Sequence, residues 1–325
     1  MSDLFEVVKQ QIKGKNLRIV FPEGTDERIL TAASNLKRDL LIEPILLGDA
    51  AEIQEKAKYI DLADITIINP ANYAEMDAMV ASFVERRKGK ATPEQAEEIL
   101  KSSVNYFGTM LVHMGLADGL VSGAVHSTAE TVRPALQLIK TKPGVNRTSG
   151  VFIMVRGREK YVFADCAINI SPNSQELAEI AVESAKTART FGIHPRVAML
   201  SFSTKGSAKS PETDKVSEAV RLIKEMDSSF RVDGEIQFDA AYVPSVAQKK
   251  APESEIQGDA TVFVFPSLEA GNIGYKMAQR LGEFEAVGPI LQGLNKPVND
   301  LSRGCNAEDV YNLALISAAQ ALPNG

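Results

Sequence analysis

Short apolar, β-branched runs alternate along the chain with longer stretches of helical periodicity. This alternation points to an α/β architecture in which mostly parallel sheets are covered by helices on both faces. Leu17–Phe21, Ile45–Leu47 and Ile65–Ile68 read as buried strands, each stopping at Pro, Gly or Asn. Asp26–Arg38 and Glu52–Lys58 between them have helical character. Thr92-Pro93-Glu94-Gln95 is a helix start: Thr caps the first free amides, Pro is preset for the first turn, and Gln closes a capping box. After Gly119–Gly123 comes a second start, with Thr128 ahead of a helix running to about Lys140.

Lys142-Pro143-Gly144 breaks this pattern. Val151–Val155 and Tyr161–Ala164 then read as a hairpin around Arg-Gly-Arg-Glu-Lys, after which the alternation resumes. Helices are expected over Gln175–Phe191, Glu212–Met226 and Ala270–Leu281, with strands at Val197–Phe202, Ile236–Phe238 and Thr261–Phe265. Val287–Leu291 is an apolar run, and a final helix covers about Ala307–Leu322. With 325 residues the chain is long enough for two domains at roughly 100–200 residues each, and the boundary falls at Lys142–Asn146. Periodicity leaves open which domain takes the last helix. In doubly wound folds, ligands sit beyond the carboxyl ends of strands, so the loops leaving strands are where chemistry is sought.

Composition narrows the function classes. The net charge of −6 argues against non-specific nucleic-acid binding but leaves room for a local basic cleft. Cys166 and Cys305 do not make a disulfide framework, and His113, His126 and His194 lack zinc-ligand spacing. The amino-terminal segment carries acids early and does not read as a signal peptide. No run approaches the roughly 18 apolar residues of a membrane span. A soluble, cytoplasmic protein is expected.

Three strand-exit loops carry candidate chemistry. Phe202-Ser203-Thr204-Lys205-Gly206-Ser207-Ala208-Lys209-Ser210 combines small residues, hydroxyls and two lysines, as a loop cradling an anion would, or is simply a solvated polar loop. It is not a Walker A sequence. In Gly123-Ala124-Val125-His126-Ser127-Thr128, His126 fits a general acid or base, Ser127 a nucleophile, and Arg133 a phosphate clamp. The alternative there has Thr128 as a helix cap, with His126 and Arg133 as ordinary polar residues. Asn295–Asp309 is a long polar loop entering the final helix. Asn306 and Asp309 fit a capping pair, whereas Ser302-Arg303-Gly304 is an odd choice for a structural turn. Arg86-Arg87-Lys88 closes a helix, where cations complement the dipole.

Seven stretches together resemble the phosphate acetyltransferase (phosphotransacetylase) family in its short single-unit form: FPEGTDERIL (21–30), DGLVSGAVHSTAETVRPALQ (118–137), FADCAINISPNSQELAEIA (163–181), MLSFSTKGSA (199–208), GEIQFDAA (234–241), FPSLEAGNIGYKMAQRL (265–281) and GPILQGLNKPVNDLSRGC (288–305). They spread over nearly the whole chain in family order, with no departure at the positions used below. The resemblance implies two doubly wound α/β domains with the active site in a cleft between them, akin to isocitrate and isopropylmalate dehydrogenases. It places residues 1–143 plus 294–325 in one domain and 144–293 in the other. It further implies a homodimer, coenzyme A and acetyl phosphate as substrates, and no metal or redox cofactor.

The implied reaction is reversible acetyl transfer between coenzyme A and phosphate. A CoA thiol with a pKa near 8.5 holds little thiolate at neutral pH, so a base must take its proton. By family match Asp309 is that base, expected in a partly desolvated setting that raises its pKa. Ser302 is matched to the sulfur, and Arg303 to the carbonyl oxygen as it becomes negative. Arg133 and Arg87 are matched to phosphate, with Ser127 and Thr128 beside it. Arg280 is matched to the phosphates of CoA, with Ser203, Lys205, Gly206 and Ser207 nearby. Transfer is expected to be direct; a covalent variant would load the acetyl group on Cys166 or Ser127. Alternatives are a propionyl or butyryl transferase, a paralogue serving ethanolamine breakdown, or an acyl-CoA-sensing module of the kind fused to malic enzymes.

Overall fold

Among residues 2–322, which the computed structural model of the protein describes, eleven strands form two sheets. The chain divides accordingly into two units, one comprising Gly144–Gly293 and the other Ser2–Pro143 together with the chain from Leu294 onward.

In the discontinuous unit, β1 (Arg18–Phe21), β2 (Glu43–Leu47), β3 (Thr66–Ile68), β4 (Gly119–Ser122) and β11 (Val298–Asp300) run parallel in the order β11-β4-β1-β2-β3. The central strands are covered on both faces, which is why Ile19, Val20, Phe21, Leu46, Leu120 and Val121 form near-continuous apolar runs and are all buried. The chain moves outward from β1 to β3 and then returns to the other side of β1 with β4, so strand order reverses between β1 and β4. A crevice at the carboxyl ends of the strands opens at such a reversal. The final helix, Ala307–Ala321, packs against the helix Glu27–Arg38 and over β4. The helix Pro93–Ser102 has the expected capping box between Thr92 and Gln95.

The other unit carries β5 (Ser149–Arg156), β6 (Glu159–Ala164), β7 (Arg196–Leu200), β8 (Arg231–Ile236), β9 (Val262–Val264) and β10 (Glu285–Gln292), in the order β10-β5-β6-β9-β7-β8. β6, β9, β7 and β8 are parallel. β5 and β6 form the expected hairpin, turning at Gly157-Arg158, and β10 adds antiparallel to β5. An aromatic cluster of Phe152, Phe163, Phe263 and Phe265 fills one side of this sheet.

Two local expectations are corrected. The strand expected at Ile236–Phe238 is instead Arg231–Ile236, and Phe238–Tyr242 is a short helix. Asp233 and Glu235 disguise that strand: both are buried, Asp233 paired with Lys205 and Glu235 bonded to hydroxyls and an amide. The helix before Lys140 is capped by Ser127 rather than Thr128, and it changes at Pro134 into a wider turn over Ala135–Ile139. Proline has no N–H to continue the regular ladder, which accounts for the change.

Candidate active site

The carboxyl ends of β1, β4 and β11, neighbours in one sheet, release three loops that are bound together by two side chains. Glu23, two residues beyond β1, is 5% exposed. Its carboxylate accepts hydrogen bonds from the amides of Gly123, Ala124, Val125 and His126 at 2.8–3.1 Å, and from His126 Nδ1 at 2.8 Å. Burial works to raise the Glu23 pKa, but the His126 bond and the amides outweigh it, and Glu23 lies below its ordinary value. The same contact raises His126.

Arg28 is the second tie. It grips Asp26 through Nε and Nη2 at 3.0 and 2.8 Å, while its other N–H groups donate to the carbonyls of Ala124, Arg303 and Cys305 at 2.8–3.0 Å. One guanidinium, with its five fixed donors, thus spans all three loops. Both Glu23 and Arg28 lie in the first family-like stretch, yet sequence reasoning assigned neither a role. A charged pair of residues just past a strand was the available signal.

Ser302 and Arg303 follow β11 on the loop Arg28 holds, and Asp309 lies in the first turn of the helix that this loop enters. Ser302 Oγ accepts from the Gly304 amide at 3.3 Å, and Ser302 and Arg303 are exposed. Asp309 is at the third position of its helix: Oδ2 accepts from the Asn306 amide and Asn306 Oδ1 from the Asp309 amide, both at 2.9 Å. The capping pair is therefore real. The expected partial desolvation of Asp309 is not found, since its side chain is exposed. A second buried carboxyl beside Glu23 is Asp300, whose pKa burial raises, with Thr128 Oγ1 donating to it at 2.6 Å.

Ser127 caps its helix and donates its hydroxyl to Glu130 at 2.7 Å. Arg133, one turn on, lines a cavity of about 240 Å³ with His126, Glu130 and the residues Ser103–Tyr106, where the helix Val104–His113 begins. Helix starts offer free amides to anions. Arg87 is half-buried at the end of Met76–Arg87, in a basic group with Arg86, Lys88, Lys90 and Lys140. That group pulls Lys140 below its ordinary pKa, Arg86 contributing most.

The other unit holds the remaining candidates. Ser203 is buried and donates to Glu235 at 2.9 Å; the Gly206 amide donates to the same carboxylate at 2.7 Å. Ser207 Oγ accepts from the Thr204 amide, and Lys205 reaches Asp233 at 2.8 Å. Much of the loop's donor capacity is thus spent on internal carboxylates that sequence reading did not include. Arg280 is exposed in the last turn of Leu268–Leu281. Burial raises the pKa of Cys166 and Cys305 alike. Among the described residues, no three His, Cys, Asp or Glu side chains converge as a metal site requires.

Comparison with known proteins decides the family. Residues 3–318 match the family model for phosphate acetyl/butaryl transferases. The chain belongs to the phosphate acetyl/butaryl transferase family. A curated member, the phosphate acetyltransferase of Bacillus subtilis, is 69% identical over 99% of this chain and its own full length. A solved phosphotransacetylase from Streptococcus pyogenes superposes with a TM-score of 0.97 at 61% identity, covering 99% of this chain and 98% of that one. A 4-hydroxythreonine-4-phosphate dehydrogenase from Klebsiella pneumoniae, at 12% identity and TM-score 0.56, covers 94% of this chain and 100% of its own and shares the fold alone. This family member is an acyltransferase of two-domain α/β fold. No helix among its described residues is long and apolar enough to cross a membrane.

Proposed function

We propose that the protein is a phosphate acetyltransferase that interconverts acetyl-CoA plus phosphate with acetyl phosphate plus CoA by direct thiolate attack. The observation carrying this is the set Ser302 and Arg303, on a loop that Arg28 fixes beside the Gly123–Thr128 loop, with Asp309 in the first turn of the helix that loop enters. Asp309 takes the thiol proton, and bound substrates supply the desolvation that the protein alone does not give it. Ser302 holds the sulfur, and Arg303 donates to the carbonyl oxygen as charge builds there. Arg133, Arg87, Ser127 and Thr128 receive the phosphoryl group, supported by the cavity at Arg133 and the cations around Arg87.

Arg280 meets the phosphates of CoA, and the Ser203–Ser207 loop contributes beside it. Coenzyme A is a substrate, and no metal or redox cofactor takes part. A direct path is favoured over an acyl-enzyme because both thiols are raised in pKa and the Ser127 hydroxyl is engaged by Glu130. The two units, 1–143 with 294–325 and 144–293, act as domains. The enzyme works in the cytoplasm, where acyl-CoA metabolism places its substrates, as a homodimer. Exposed Ile273, Met277 and Leu281, spaced by four along one helix face, support self-association. A sensing module has no need of the full catalytic set.

Thioester absorbance with acetyl phosphate and CoA, in the presence of EDTA, tests the reading. Acetyl-CoA is expected to form. Asp309→Asn keeps an oxygen for the Asn306 amide, so it is expected to retain its thermal midpoint while kcat falls about 10²–10⁴-fold. No thioester from the wild type, or normal kcat in Asp309→Asn, overturns the proposal.

A further inference from the structure

The proposed base accounts for only one of two proton movements. At neutral pH acetyl phosphate carries two negative charges on its phosphoryl group. If thiolate displaced it unaided, the leaving group would be fully deprotonated phosphate, a poor one. The balanced reaction, RSH + CH₃CO–OPO₃²⁻ → CH₃CO–SR + HPO₄²⁻, requires a proton to arrive at the phosphate oxygen as the carbon–oxygen bond breaks. A positioned acid is needed where the phosphate sits.

The cavity beside Arg133 contains few side chains able to act there. An arginine such as Arg133 grips a phosphate through its fixed donors and is not a proton shuttle. The Tyr106 hydroxyl donates to Gln137 at 2.8 Å. Glu130 is held low by Ser127 and is an acceptor. His126 remains. Its Nδ1 is engaged by Glu23, its ring is 29% exposed, and it lines the cavity. With Nδ1 bound to a carboxylate, Nε2 is the nitrogen left to serve a ligand.

We propose that His126, oriented by Glu23, is the acid that gives its Nε2 proton to the departing phosphate oxygen. This rests on the phosphate acetyltransferase reading and deepens it. The carbon–sulfur bond forms and the carbon–oxygen bond breaks. The thiol proton goes to Asp309, and the imidazolium proton goes to phosphate. Water then removes the proton from Asp309 and restores the one on His126. In the opposite direction, neutral imidazole takes the proton from HPO₄²⁻ as it attacks acetyl-CoA. The charged groups facing His126 are Glu23 from the β1 exit and Glu130 and Arg133 from the helix that follows it. The helix Val104–His113 brings only its uncharged start. The two carboxylates favour the protonated ring, and Glu23 dominates.

His126→Asn tests this, since the Asn amide nitrogen can replace Nδ1 toward Glu23 but nothing replaces Nε2. In acetyl-CoA formation, kcat is expected to fall about 10²–10⁴-fold, with inhibition by inorganic phosphate little changed. The wild-type rate should decline on the alkaline side as the imidazolium loses its proton, and the variant should lack that decline. Glu23→Gln should move the decline to lower pH. Normal kcat in His126→Asn, a change confined to KM, or an unmoved alkaline decline in Glu23→Gln would each overturn the inference. An inactive wild type would instead overturn the functional reading itself.

Discussion

At the residue scale, the pair formed by Glu23 and His126 couples the site to pH in a direction that can be worked out. Glu23 lies below its ordinary value of 4.5, so it stabilises the fold above that value and loses the contribution as pH falls through its folded pKa. His126 lies above its ordinary 6.5, so it stabilises the fold below 6.5 and loses the contribution as pH rises through its folded pKa. The difference in urea stability between wild type and His126→Ala should therefore be largest between about pH 4.5 and 6.5 and shrink on both sides. A difference that stays flat with pH would show that the pair is not ionic. His126 was legible as a candidate acid or base from its strand-exit loop, but its pairing with Glu23 was not. Residues 103 positions apart give no periodic signal, and a glutamate after a Pro reads as a surface charge. Asp309 was legible as a cap from the Asn306 spacing, and its carboxylate stays exposed while making that contact; its expected role as a base came from the family resemblance and from no local pattern.

At the scale of elements, strand exits matter more than strands. β4 is followed by Gly123, whose φ of +112° and close surroundings exclude a side chain: an added Cβ would lie 2.5 Å from Asp300 Oδ1 and 2.6 Å from the Leu301 carbonyl oxygen. Gly123→Ala is expected to destabilise the protein by roughly 2–5 kcal/mol through strain and overpacking together, and to lower activity by parting the β4 and β11 loops. Chemical denaturation and turnover measured on the same preparation check this, and an unchanged midpoint would contradict it. The strands themselves were readable because parallel, doubly covered strands are continuous apolar runs. β8 was the exception. Its buried Asp233 and Glu235 are stabilised by partners on the Lys205 loop and the helix Pro211–Met226, and such long-range compensation leaves no trace in local pattern.

For the whole molecule, alternation of strand and helix was enough to reach the architecture, and the break near Pro143 marked where the first sheet hands over to the second. Where the last helix belongs was not readable from periodicity, because β11 joins a sheet whose nearest strand in sequence, β4, was laid down about 180 residues earlier. The exposed stripe on the helix Leu268–Leu281 leads to a prediction at this scale. Ile273→Glu with Met277→Glu should convert a dimer into monomers by light scattering, leaving circular dichroism unchanged. A wild type that is monomeric at micromolar concentration would refute it.

The ring of amides closed around Glu23 has one last consequence. Backbone N–H groups converging after a strand are the usual socket for a nucleotide or a phosphate ester, and here that socket is plugged from within. In the proposed reaction, orthophosphate is left to Arg133 and Arg87, with Ser127 and Thr128, and not to this ring of amides. Such a grip suits an anion that is reactant in one direction and product in the other, since it has to be let go as readily as it is caught.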